Sequence, residues 1–406
     1  MTLMFDRSAG LDSSGLLAQA SELLPEVVEL RRRVHREPEI GLDLPMTQAK
    51  VLDALNDLDL EIKTGSGLSS VVATLSGDGD GPTLLLRGDM DALPMPEDTG
   101  EPFASVHDGV MHACGHDSHV AMLAGAARLL HARRSELRGN VKFFFQPGEE
   151  GYHGARHAIE EGLLTDPDVD AAFAIHISPN HRSGTLATRP GALLAAADEI
   201  FITVNGQGGH ASAPHNATDP IPVACELVTA LQSHITRTVS VFKPAVLTVA
   251  NISAGTTTNV IPETASMSGT LRCHDEGTRA KVHEGIVRVA SGIAAAHGCE
   301  AHVEIKKGYP VTMNDPDFAA FSLEVMGELI GADNATVLPA PLMAAEDWSY
   351  VLQQVPGAMA MLGVSPDHEQ DPRTSHACHS NRMRLDEGAM AVGVAAHAAI
   401  ALSYLS

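Results

Sequence analysis

Val141-Lys142-Phe143-Phe144-Phe145-Gln146-Pro147-Gly148-Glu149-Glu150 joins a compact apolar run to a tight turn and two adjacent carboxylates. A run of this kind, closed by Pro-Gly, reads as a strand buried on both faces of a mostly parallel sheet. Similar runs stand at 83–86, 171–177 and 358–363, with helical periodicity at 119–133 and 317–330 between them. Alternation of this sort predicts an α/β fold. Residues 16–34 also carry a helical period, which Pro25 is expected to break or restart.

Residues able to do chemistry gather at one end of those strands. Asp89 and Asp91 follow the first run, Glu149 and Glu150 the second, and His176 closes the third. Ligands of open α/β sheets bind beyond the carboxyl ends of the strands. Cys114-Gly115-His116-Asp117 adds a thiolate and an imidazole two residues apart, which can reach one divalent ion. Such a pair suits zinc, and manganese, cobalt or nickel when oxygen ligands join. A free cysteine is most often a small buried hydrophobe, but Gly115 and His116 beside Cys114 favour ligation. Asp117 suits the N-cap of the helix that starts there. Of the two glutamates, one can stay ionised on a metal while the other accepts a proton from water. His376, Cys378 and His379 form a later group, any of which could ligate on pattern alone.

The middle of the chain has another rhythm. Strand patterns at 199–205, 245–252, 265–272 and 300–306 enclose helical ones at 220–235 and 276–296. This β-α-β-β-α-β order is that of a ferredoxin-like α+β unit with one sheet face left for water or a partner. The expected organisation is a catalytic domain of residues 1–192 and 305–406 with an insertion at 193–304. At 406 residues, two domains are the default.

Composition narrows the partners. Hydrophobic content of 44% and charged content of 19% fit a globular chain. The formal charge of −24 argues against nucleic acid or anionic membrane surfaces. Cysteines at 114, 225, 273, 299 and 378 are odd in number and scattered, as in a reducing, cytoplasmic setting. Met1-Thr2-Leu3-Met4-Phe5-Asp6-Arg7 shows no secretion signal. The Ala- and Gly-rich segment 388–405 is close to membrane-spanning length, but its weak hydrophobicity predicts a buried helix.

Together, Gly88-Asp89-Met90-Asp91-Ala92-Leu93-Pro94, Cys114-Gly115-His116-Asp117, Gln146-Pro147-Gly148-Glu149-Glu150, Gly208-Gly209-His210-Ala211-Ser212 and Glu346-Asp347 carry a resemblance. They resemble the aminoacylase/hippurate-hydrolase branch of the dinuclear metallo-amidohydrolases, which includes N-acyl-amino-acid amidohydrolases and plant auxin-conjugate hydrolases. The likeness runs from Arg32-Arg33-Val34-His35-Arg36-Glu37-Pro38-Glu39 to His379. It implies two divalent ions (Zn, Mn, Co or Ni) on Cys114, His116, Glu150, His176 and His379, with Cys114 bridging. It further implies Glu149 as general base, Asp91 as the carboxylate that orients the ligands, and His210 as oxyanion donor in its own or the partner subunit. Asn259 and Arg272 match substrate-contacting positions. The resemblance implies Arg272 as the clamp for a free carboxylate, a task its planar fork suits by pairing bidentately. The insertion matches a lid and dimerisation domain, giving a homodimer, with a tetramer as the alternative.

Departures from that pattern bear on the pocket. Asn381 stands where a proline is common, Met383-Arg384-Leu385 replaces an aromatic stretch, and Trp348 replaces Phe. The expected reaction is hydrolysis of an N-acyl amino acid to a carboxylic acid and a free amino acid. Rival expectations are a metallo-carboxypeptidase or dipeptidase, a cysteine hydrolase using Cys114, and a metal-binding protein without turnover.

Overall fold

The computed structural model describes residues 12–366 and 371–406, so the Met1–Arg7 stretch lies outside the described residues. The chain forms two compact units. The first holds the chain up to Gly191, Met313–Ala340 and the part from Asp347 onward, and the second holds Ala192–Thr312 with Pro341–Glu346.

An eight-stranded sheet organises the first unit. From edge to edge its strands are Glu61–Thr64, Val71–Ser76, Arg138–Gln146, Gly79–Asp89, Ala171–Ser178, Gly357–Gly363, Leu186–Thr188 and Ala335–Val337. The four central strands, Arg138–Gln146 to Gly357–Gly363, are mutually parallel. Antiparallel pairs flank them. Every residue from Val141 to Gln146 is buried, as both-face coverage requires. Each fully buried phenylalanine of this strand stabilises the fold by about 2 kcal/mol of transfer free energy.

Helices Ser13–Arg36, His116–Ala132, Pro316–Ile330 and Met390–Tyr404 pack against one another and share the main core. Pro25 does not interrupt the first of them, contrary to expectation. Both Pro25 and Ser21, whose carbonyl loses its usual donor, lie on the exposed face, where water can satisfy that oxygen. The span Glu387–Tyr404 is long and apolar enough to cross a membrane by composition, yet 72% of it is buried. It is a core helix.

The second unit has its own core. Its sheet runs Ala245–Ala254, Thr264–Cys273, Ala196–Asn205, Glu300–Lys307, with all three neighbouring pairs antiparallel. Helices Pro220–Thr238 and Glu276–Ala296 pack on it, giving the chain order β-α-β-β-α-β. Both start at an aspartate whose side chain accepts a main-chain N–H, Asp219 from Ile221 and Asp275 from Thr278. Ala245–Ala254 is an edge strand, and Val241 and Phe242 just before it are 85% and 91% exposed.

Candidate active site

Cys114 and His116 are presented by a turn that only glycine accommodates. Gly115, the N-cap of helix His116–Ala132, has φ of 87°, and a Cβ there would sit 2.5 Å from Ile177 Cγ1. Helix capping therefore falls to Gly115 and not to Asp117. Asp117 lies within the first turn, its carboxylate paired with Arg31 and His35.

The glutamate pair is held by Asp91. The main-chain N–H of Glu149 donates to Asp91 Oδ1 and that of Glu150 to Asp91 Oδ2, both at 2.9 Å. Asp91 also fixes His116, whose Nδ1 donates to the Asp91 carbonyl at 2.8 Å. Nδ1 is thereby engaged, and Nε2, the other ring nitrogen, lies 3.3 Å from Asp89 Oδ2. His176 is held likewise: Nδ1 donates to the Ile177 carbonyl at 2.7 Å, and Nε2 faces Cys114 Sγ at 3.4 Å. His379 arrives from the loop beyond strand Gly357–Gly363, with φ of 68°. Its N–H donates to the Ala113 carbonyl at 2.8 Å, and its Nε2 lies 3.0 Å from Glu150 Oε1.

Ligand-type atoms therefore converge. One atom each from Cys114, His116 and His176 falls within 4.8 Å of the others, and so does one each from Cys114, Glu150 and His379. The Cys114 sulfur belongs to both groups, the arrangement a bridging thiolate needs. Glu149 meets the same criterion with His116 and Glu150. His116 Nε2 is buried and makes no hydrogen bond among the described residues.

The electrostatics favour a cation here. Burial opposes charge on His116, yet Asp89, Asp91 and Glu150 outweigh it and push its pKa up to about 10. Glu150 is held below the ordinary carboxylate range against its burial, chiefly by His379 and His116. The Cys114 thiol is pushed up by its hydrogen bond with Cys378 and by burial. A pocket that retains protons on such donors exchanges them for metal. The residues fit a pair of divalent ions.

Sequence reasoning left several neighbours without a role. Asp89 Oδ1 accepts from His119 Nδ1 at 2.5 Å, and His119 Nε2 accepts from the Ile177 N–H at 2.9 Å. Both ring nitrogens are thus used, and burial drives the His119 pKa down to about 4. Asp347 Oδ1 accepts from Gln146 Nε2 at 2.6 Å and Asp347 Oδ2 from the Ala155 N–H at 2.8 Å. Arg87 lies buried between Asp89 and Asp347. The Gly88-Asp89 and Glu346-Asp347 motifs were the only signal of this network. Met383, at the departure from the family pattern, is buried with Met111 and Ala113.

His210, Asn259 and Arg272 belong to the second unit. His210 Nδ1 accepts from the Ser212 N–H at 3.1 Å, which leaves its proton on Nε2. The Asn259 carbonyl accepts from the Ala211 N–H at 3.1 Å. Arg272 is half-buried and has no ion pair among the described residues.

Comparison with known proteins now bears on this geometry. The description Peptidase family M20/M25/M40 matches residues 85–403. The chain belongs to that family. It is 37% identical to "Thermostable carboxypeptidase 2" of Saccharolobus solfataricus, over 93% of this chain and 95% of that protein. It is also 37% identical to "N-acetyl-L-cysteine deacetylase" of Bacillus subtilis, over 86% and 83% of the respective chains. Among solved structures of the M20 family, a Bacillus subtilis protein described as a dinuclear metal binding peptidase superposes with a TM-score of 0.81. That pair is 33% identical over 95% of this chain and 99% of the other. The chain is a hydrolase of the M20 family, of the amide-cleaving kind.

Proposed function

We propose that this M20 hydrolase cleaves the amide bond of N-acyl amino acids, releasing a carboxylic acid and a free amino acid. The observation that carries the reading is one thiol, Cys114, shared by two ligand triplets with the Glu149 carboxylate beside them. Cys114, His116, Glu150, His176 and His379 would hold two divalent ions of zinc, manganese, cobalt or nickel. When bound, these ions supply Lewis acidity toward water and the amide carbonyl.

The chain's own groups do the rest. Glu149 accepts the proton of the attacking water and returns it to the leaving amine. Asp91 keeps Glu149 and Glu150 in register through their main-chain N–H groups. His210, protonated on Nε2, is the donor for the developing oxyanion. Asn259 and Arg272 bind the substrate, Arg272 pairing with its free carboxylate. Residues 1–192 and 305–406 form the catalytic domain, and 193–304 a lid and dimerisation domain. The protein works in the cytoplasm as a homodimer, and its partner molecule is the small N-acyl amino acid.

Cleavage of short peptides from the carboxyl end is the second reading, favoured by the carboxypeptidase relative. A Cys114 nucleophile is disfavoured, since its thiol is pushed up where a cysteine nucleophile needs a lowered pKa. The test is hydrolysis of a panel of N-acyl amino acids and dipeptides before and after chelation. N-acyl hydrolysis that vanishes with the chelator and returns with manganese, cobalt or zinc is expected. Chelator-resistant hydrolysis overturns the metal mechanism, and turnover of dipeptides alone transfers the case to the second reading.

A further inference from the structure

Residues 31–39 include none of the groups assigned to the reaction, yet they form a buried ionic chain that ends one residue from His116. The Asp117 carboxylate has no solvent exposure. Arg31 Nε donates to Asp117 Oδ2 at 2.8 Å, and His35 Nδ1 donates to the same oxygen at 2.9 Å. On its other side His35 Nε2 lies 3.1 Å from Glu97 Oε1, and Glu97 Oε2 accepts from the Ser105 N–H at 2.7 Å. Arg31 Nη1 reaches Glu387 Oε1 at 2.8 Å. Main-chain bonds continue the clasp, from the Val106 N–H to the Arg36 carbonyl at 2.9 Å and from the Ala92 N–H to the Glu39 carbonyl at 2.8 Å.

Burying charges in this way is expensive, and an apolar side chain of similar volume often fills such a space at lower cost. What an ion pair supplies and an apolar contact does not is direction. Successive helical residues point about 100° apart. Asp117 can therefore be bolted to helix Ser13–Arg36 while His116 faces the carboxylates of the site. His112 extends the packing, its ring centroid 6.1 Å from that of His35 and two residues ahead of Cys114.

We propose that Arg31 and His35 are positioning residues for the metal pair. Acting through Asp117, they fix the first turn of helix His116–Ala132, and with it the aim of Cys114 and His116. The inference rests on the metal reading above. Residues that orient ligands in this way are typically worth 10–100-fold in metal affinity.

The experiment is cobalt titration of the metal-free full-length protein against a competing chelator. The thiolate-to-cobalt absorption band and the melting temperature of the metal-free state are recorded alongside. His35→Leu keeps bulk but removes both hydrogen bonds. His35→Asn keeps a donor where Nδ1 stood. Cobalt affinity is expected to fall by about 10–100-fold in His35→Leu with a shifted band, and to recover most of that loss in His35→Asn. A His35→Leu protein with wild-type affinity and band overturns the proposal, even if it melts earlier. Should His35→Leu fail to fold, Arg31→Gln decides on the same two readouts, tenfold weaker cobalt binding supporting the role and unchanged binding overturning it. A wild type that binds no cobalt overturns the metal reading itself and this role with it.

Discussion

Glu149 and Glu150 are chemically identical neighbours with different fates, and main-chain geometry separates them. Both N–H groups are anchored on the single carboxylate of Asp91. Beyond that anchor, Glu150 shares a group with Cys114 and His379, while Glu149 is grouped with His116 and Glu150 and with no cysteine. Glu149→Ala should therefore leave metal content at the wild-type level and lower kcat by a factor on the order of 10³. Metal analysis with steady-state kinetics checks this, and near-normal turnover would remove Glu149 from the mechanism. His379 shows the same economy: it occupies a left-handed conformation uncommon for a residue with a side chain, and its N–H is tied to Ala113 beside Cys114. A strained backbone of that kind persists only where its surroundings over-determine it.

The ionic clasp between helices Ser13–Arg36 and His116–Ala132 makes stability depend on pH. Burial opposes the charge on His35, but Asp117 and Glu97 outweigh it and raise its pKa from 6.5 to about 9. Its contribution is complete below pH 6.5 and is lost as pH rises through about 9. Glu97 is the converse: against its burial, bonds from His35, Thr99 and Ser105 lower it from 4.5 to about 2. Its contribution is complete above pH 4.5 and is lost as pH falls toward 2. Denaturant midpoints of the metal-loaded protein should therefore decline above pH 6.5, and His35→Leu should flatten that alkaline limb. An identical limb in the variant would assign the decline elsewhere. Such contacts were illegible in the sequence, because Arg31 and Asp117 stand 86 positions apart and no periodicity links them. Legible features were those written in local pattern: the apolar strands, the acids after them, and the Cys-Gly-His turn. Pro25 misled because the rule that proline breaks a helix depends on which face the freed carbonyl meets. Asp117 misled because a cap and a buried ion pair use the same residue type.

At the scale of the molecule, the second unit has an edge strand flanked by exposed apolar side chains. Edge strand Ala245–Ala254 presents Val246 and Ile252, and Val241 and Phe242 lie beside it in an exposed loop. An edge with apolar neighbours invites pairing with another chain. Sedimentation should give a dimer for the wild type, and Phe242→Asp should weaken it by tenfold or more, about 1.4 kcal/mol. A wild type that stays monomeric at micromolar concentration would end the dimer reading. The core helix Met390–Tyr404 has a consequence of another kind, in the order of events during synthesis. It packs against Ser13–Arg36, His116–Ala132 and Pro316–Ile330, so the first unit lacks a wall of its core until that helix has left the ribosome. All four sheet strands of the second unit have emerged by Lys307. Domains fold as units as they are made, so the unit encoded in the middle is ready first. The first unit waits for helix Met390–Tyr404.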